Sequence, residues 1–224
     1  MSRARAKADR NPDDLYVTPR ECAETLIQTI PLKPDWRILE PSAGDGAWLR
    51  ALAIHPGFGG RVDCVEIRPE AEEPLRELYL ELGLVGEVYV ADFTAVTRRL
   101  VPGGYDLTVG NMPYSLGREF IRHMLFHTRR NGVVANLLRQ GILHTQGRRR
   151  FNRAHPCWLN YRLDERPPFA NDSTDSAEYG WLLWRKGHRG RTLERNLSWT
   201  DDSPCRTRDL ELVRAEDWPL WSAV

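Results

Sequence analysis

The chain has 224 residues, 41% hydrophobic and 28% charged, enough to bury a core as one domain or one domain with an appendage. A net charge of +1 excludes a uniformly basic nucleic-acid binder, so any such surface must be a local patch. Cys22, Cys64, Cys157 and Cys205 are far apart and form no C-x-x-C pair, which argues for inert thiols against a disulfide framework or a zinc site. No apolar run approaches membrane-spanning length and no signal-peptide pattern opens the chain, so a cytoplasmic protein is expected.

Residues 1–14 are polar, with Arg3, Arg5, Lys7 and Arg10, and read as a disordered basic arm. A phosphate-gripping arm is the alternative. Thr18-Pro19-Arg20-Glu21 reads as a helix start, with Thr18 as N-cap, Pro19 in the first turn and Glu21 completing a capping box. Cys22, Ala23, Leu26, Ile27 and Ile30 follow at helical spacing, and Pro31 and Pro34 end the helix. Arg37–Glu40 is a short buried strand. Pro41-Ser42-Ala43-Gly44-Asp45-Gly46 then leads into helical spacing at Ala47, Trp48, Leu49, Leu52 and Ala53. Strand, glycine turn and helix form the first unit of a doubly wound α/β fold, and the two glycines let the main chain approach a ligand. The third glycine of a dinucleotide fingerprint is absent, which counts against NAD.

Val62–Ile67 is the second strand. Glu66 lies 20 residues past Gly46, where an acid binds a ribose hydroxyl pair in such folds; a solvated strand-end carboxylate is the alternative. Glu70–Leu82 is helical, with Pro69 and Pro74 blurring its start. Glu87–Ala91 is a third strand running into Asp92-Phe93, and Leu107–Val109 a fourth, ending at Gly110. Arg118–Thr128 is an amphipathic crossover helix and Gly132–Leu138 a fifth strand. This alternation predicts a mostly parallel sheet with ligands outside the carboxyl ends of its strands. Gly44, Glu66, Asp92 and Asn111 all fall at such ends. Arg139, Arg148, Arg149, Arg150 and Arg153 form either a phosphate-contacting strip or a solvated face. Cys157–Leu163 and Tyr179–Trp184 are expected to pair as an antiparallel hairpin. From Lys186 onward no motif stands out; a strap anchored by Trp199, Trp218 and Trp221, or an oligomer contact, is expected.

The most informative stretch is Asp106–Ser115, DLTVGNMPYS, an apolar strand ending in a turn of Asn, Pro and an aromatic. These parts suit alkyl transfer to a planar nitrogen. The lone pair of such an amine is delocalised, and attack eases if fixed acceptors hold its hydrogens as positive charge grows. The Asn111 side-chain oxygen and the Met112 carbonyl are candidate acceptors. Pro113 stiffens the turn and the Tyr114 ring can stack on the planar group; a strand ending in a Pro turn with a core tyrosine is the alternative.

Asn111-Met112-Pro113-Tyr114 resembles the [DNS]-P-P-[YFW] motif of S-adenosylmethionine-dependent amino-methyltransferases, chiefly the adenine-N6 DNA methyltransferases. Met112 departs from the commoner proline, although ribosomal-RNA dimethyladenosine methyltransferases carry an apolar residue there. ILEPSAGDGAW is similar to the cofactor-binding signature of the same enzymes. The resemblance implies a Rossmann-like methyltransferase sheet over 15–185, closed by the hairpin, with 186–224 as a C-terminal extension. It implies S-adenosylmethionine held by Thr18, Pro19, Glu40, Pro41, Ser42, Ala43, Gly44, Gly46, Glu66 and Asn111. Asp92 would take the cofactor's adenine amine and Phe93 would pack on its ring; an Asp capping the turn and a core Phe are the alternatives. It also implies a flipped adenine stacked on Tyr114 and Phe169, and DNA phosphates on Arg139 and Arg148. No metal is expected. Phe169 serves equally as a hydrophobic plug. With only about 40 residues after the last expected strand, no large recognition domain is expected, and sequence specificity should be low or short-site. Adenine in RNA and a protein glutamine amide are the alternative substrates, and a non-catalytic binding module is the alternative class.

Overall fold

The computed structural model describes residues 18–143, 147, 149–167 and 177–198. The basic arm, Arg148, Phe169, Cys205 and the three tail tryptophans lie outside them. Strands and helices alternate as β1 (Arg37–Glu40), β2 (Arg61–Glu66), β3 (Val88–Val90), β4 (Tyr105–Gly110) and β5 (Thr128–Arg139), with α1 (Arg20–Thr29), α2 (Ala47–Ala53), α3 (Glu72–Leu82) and α4 (Gly117–His127). After the short α5 (Arg149–Ala154) come β6 (Leu159–Leu163), β7 (Tyr179–Arg185) and β8 (Leu193–Leu197). They form one eight-stranded sheet of order β3-β2-β1-β4-β5-β7-β6-β8. Every pairing is parallel except those of β7 with β5 and with β6. This is the doubly wound, mostly parallel sheet with an antiparallel hairpin that the alternation predicted. Strand order reverses between β1 and β4, the crevice where such sheets hold ligands.

Period-two alternation sends successive residues to opposite faces. Ile38, Val62, Leu107 and Val133 join Leu26, Trp48 and Leu75 of α1–α3 in one buried cluster. Leu39, Val65 and Val134 join Phe120, Ile121 and Met124 of α4 in the other. Cys22, Cys64 and Cys157 are buried and unbridged, and burial first pushes the Cys64 and Cys157 thiols up to about 12.

Two local expectations differ. Pro19, not Thr18, caps α1, and no side chain bonds the cap. With Arg20 the first helical residue, Glu21 falls one position short of where a capping box needs its acid, so the box cannot close. The sheet also continues past residue 185: β8 pairs parallel with β6 from Leu159↔Leu193 to Leu163↔Leu197. Its LERNL is polar because it is an edge strand with alternate residues in solvent.

The buried carboxylate of Asp63 ties three strands. It accepts from Arg61 Nε at 2.9 Å, Glu87 N at 2.9 Å and Tyr105 Oη at 2.7 Å. Asp63→Ala orphans the fully buried Tyr105 hydroxyl and removes the acceptor of the Glu87 amide just before β3. A loss of about 3 kcal/mol in urea unfolding is expected; an unchanged midpoint would show that these bonds do not hold the strands.

Candidate active site at the strand ends

A cavity of about 570 Å³ opens where the β1, β2, β3 and β4 carboxyl ends meet. The parallel register fixes that meeting, because Glu40 pairs with Cys64, Glu66 with Val90 and Leu39 with Thr108, bringing the four ends to one rim. Of the residues the sequence singled out, the walls carry Thr18, Glu40, Pro41, Ser42, Ala43 and Gly44. They also carry Glu66, Asp92, Phe93, Asn111 and Pro113. Pro19, Gly46, Met112, Tyr114 and Arg139 are not on these walls.

Gly44 and Gly46 both have positive φ, 59° and 83°, which side chains rarely adopt. Their reasons differ. Gly44 faces the cavity, whereas a Cβ on Gly46 would lie 2.3 Å from Leu78 Cδ2, so that glycine lets α2 pack on α3. Glu66 is 5% exposed, and its carboxylate is engaged from two sides. Oε2 accepts from Gly44 N at 2.8 Å; Oε1 accepts from Arg68 Nε at 2.8 Å and Arg68 N at 3.1 Å. Arg68 Nη2 also donates to Gly44 O at 3.2 Å. A ribose seated on Glu66 would compete with Arg68, a wall residue that the sequence reading missed. Its signal was an arginine two places beyond the strand-end acid.

Glu40 is 1% exposed, and its Oε2 has no hydrogen-bond partner among the described residues. Burial first, then Asp45 and Glu66, raises its carboxyl well above the usual range. Asp92 uses Oδ1 to cap the 3-10 turn Phe93–Ala95, accepting from Thr94 N at 2.8 Å and Thr94 Oγ1 at 2.7 Å. Phe93 is packed beneath the floor by Phe120 and His127, with ring centroids 5.5 Å and 5.2 Å away.

Asn111 follows β4 directly, 9% exposed, on the same wall system as Gly44 and Glu66. Ser42 Oγ donates a long 3.5 Å bond to its main-chain carbonyl, bridging the two turns. Met112 points the other way, 1% exposed in the α4-side cluster, so an apolar residue there is a packing requirement. Tyr114 opens a 3-10 turn, and its ring contacts Tyr179 at 6.0 Å and the Arg139 guanidinium at 5.6 Å. Arg139 Nε also donates to Tyr179 Oη at 3.1 Å. The two expected substrate contacts, Tyr114 and Arg139, therefore touch each other beside the cavity. Among the described residues there is no cluster of His, Cys, Asp or Glu able to hold a metal, and no helix long and apolar enough to cross a membrane.

No family model matches the sequence, and no curated protein sequence does. Solved structures do. A Listeria monocytogenes protein described as a class I S-adenosylmethionine-dependent methyltransferase aligns with TM-score 0.69 and 15% identity, over 92% of this chain and 73% of its own. The methyltransferase subunit of a type I restriction-modification system from Streptococcus thermophilus gives 0.73 and 16%, over 88% and 53%. An Agrobacterium tumefaciens protein described as an O-methyltransferase gives 0.61 and 19%, over 85% and 96%. This chain thus has the Rossmann-like methyltransferase fold. It spans about half the length of the restriction-modification subunit it matches.

The proton of Glu40 is retained above the pH at which an unfolded carboxyl loses it. Its stabilising contribution is complete below about pH 4 and declines as pH rises through the folded-state value. Glutamine has no such proton to lose. Glu40→Gln should therefore gain on the parent as pH rises from 4 to 8, reaching about 1–3 kcal/mol in thermal unfolding without ligand. A constant difference across that range would mean that Glu40 is not a buried, strained acid.

Proposed function

We propose that the protein transfers a methyl group from S-adenosylmethionine to the exocyclic amine of adenine in DNA. The observation that carries this reading is the position of Asn111, on one cavity with the Gly44 turn and Glu66. The cavity suits a cationic donor. Among the described residues its walls carry Glu40, Asp45, Glu66, Glu70 and Asp92 against the single cation Arg68. Glu40 adds a buried carboxylate oxygen without a partner among the described residues, and a bound ammonium would give it one and restore its charged form.

When bound, the cofactor supplies an electrophilic methyl on sulfur. Glu40 would hold the ammonium of its methionine end, and Thr18 and Pro19, beside the amino terminus of α1, its carboxylate. Glu66 would accept from the ribose hydroxyls. Asp92 would accept from the cofactor's adenine amine over Phe93, with Ala43 and Gly44 lying close along it. Asn111 Oδ1 and the Met112 carbonyl would accept the two hydrogens of the target amine, stabilising the charge that develops on nitrogen. Pro113, with φ −55°, limits the freedom of that turn. Tyr114 would stack on the flipped base, and Arg139 would move from its ring toward phosphate, stacking being worth about 1–3 kcal/mol per base. Phe169 and Arg148 keep their proposed roles on the base and backbone. Affinity carried by phosphate contacts should fall steeply with salt.

Transfer of labelled methyl from the cofactor to duplex DNA, RNA and glutamine-bearing protein, offered in parallel, separates the substrates. DNA should be labelled, on adenine N6. Asn111→Ala should lower that transfer by about 100-fold or more while cofactor binding persists. Near-normal turnover in the variant would remove Asn111 from the chemistry.

A further inference from the structure

A second cavity, of about 630 Å³, lies elsewhere in the fold and shares no wall residue with the first. It sits between the last turns of α4, the turn before β6, and the end of β7 with the turn that follows it. Arg185, at this end of β7, makes the first pair of the β5–β7 ladder, with Val133, whereas the rim cavity lies at the carboxyl ends of β1 to β4.

Its charge is the reverse of the rim's. Arg122, Arg185, Lys186 and Arg189 line it, with His123, His155 and His188, and among the described residues no wall residue is acidic. None of the four cations forms an ion pair among the described residues. Two of them are held by main-chain oxygens instead, and the Arg185 guanidinium lies 5.7 Å from the Trp158 ring centroid. Lys186 Nζ donates to Thr128 O at 2.6 Å and Arg189 Nη1 to Ala154 O at 2.7 Å. Such bonds fix the head groups without neutralising them. Arg185 Nε and His123 Nδ1 are buried and have no hydrogen-bond partner among the described residues. The crowding registers on the titrating groups: burial and then Arg99 lower Lys186, and burial and then Arg189 lower His155. An anion relieves this arrangement; a cation or neutral ligand does not.

The walls between the charges are apolar and partly flat, from Val96, Leu125, Phe126, Pro156 and Trp184. Phe126 is 41% exposed, and the Arg99 guanidinium lies 5.6 Å from its ring centroid, adding a further cation to this surface. The border is basic too, because α5 brings exposed Arg149, Arg150 and Arg153 up to Ala154. A cavity of this size accommodates a ligand of nucleotide dimensions. We propose that it is a second ligand site for a nucleoside phosphate, with the phosphate taken by the unpaired cations and the ring by the apolar wall. The ligand is either a free nucleotide or the phosphorylated end of a strand, and the chemistry of recognition is the same for both.

The four nucleoside 5′-monophosphates, titrated separately by calorimetry, test the site, with adenosine as the uncharged control. Two 15-nucleotide oligonucleotides, with and without a 5′-phosphate, test the strand-end source. At least one monophosphate should bind saturably, at least tenfold more tightly than adenosine, and a saturating excess of S-adenosylmethionine should not displace it. Arg122 and Arg189 are exposed, so Arg122→Glu with Arg189→Glu should leave the melting temperature near that of the parent and weaken binding at least tenfold. Preference for the 5′-phosphorylated strand over its unphosphorylated twin assigns a strand end; binding of monophosphates alone assigns a free nucleotide, and either upholds the site. Failure of all four monophosphates and of the phosphorylated strand would overturn it. So would displacement by the cofactor, or unchanged affinity in the doubly reversed variant. No methyl transfer is read, so loss of the proposed activity and loss of this site are separate outcomes.

Discussion

The carboxylate of Glu66 organises the rim. By accepting the Gly44 amide it joins the end of β2 to the turn after β1, and by accepting Arg68 it fixes the outer lip. Hydrogen bonds to an ionised acceptor are about twice as strong as neutral ones, and this pair is largely sheltered from solvent. Gly44 itself is left-handed, with φ 59°. The bond also carries a consequence for Glu40. A negative Glu66 held close by, together with Asp45, adds to the burial that resists ionisation of Glu40. A cavity shaped by carboxylates is thus poised for a ligand that brings positive charge.

The same chain gathers positive charge elsewhere. Its net charge of +1 conceals an acidic hollow at the strand ends and a cationic one beyond α4. Net charge averages over this segregation, which is visible only once the sheet has sorted residues far apart in sequence. Phe93 stands between the two regions. It lines the rim cavity, and its ring packs at 6.0 Å from His123, which lines the other.

Much of the scaffold was legible because its signals are local. Apolar runs bounded by turns located β1 to β5, and the glycine turn after Glu40 marked the crevice. Placing the strand-end residues on one rim needed only the rule for doubly wound sheets. Other features depend on partners distant in sequence. The Tyr105–Asp63 bond spans 42 positions, and nothing near either residue announces it. β8 alternates polar and half-buried residues, a pattern shared with surface loops until β6 supplies its partner. The mistaken cap at Thr18 shows the converse, since a local motif can fit in spelling and miss by one position. Arg139 was expected on phosphate, and its contact with Tyr114 follows from β5 and the turn after β4 ending side by side.

The account rests on the Asn111 amide facing the donor methyl across the rim cavity. The most direct measurement is the nuclear Overhauser contact between a ¹³C-labelled S-methyl of bound S-adenosylmethionine and the side-chain amide hydrogens of Asn111 in isotopically labelled protein. The account predicts a cross-peak to Asn111, absent in a sample carrying Asn111→Ala. A methyl signal connected instead to Phe126, Trp184 or His123 would place the donor in the cationic cavity and contradict it.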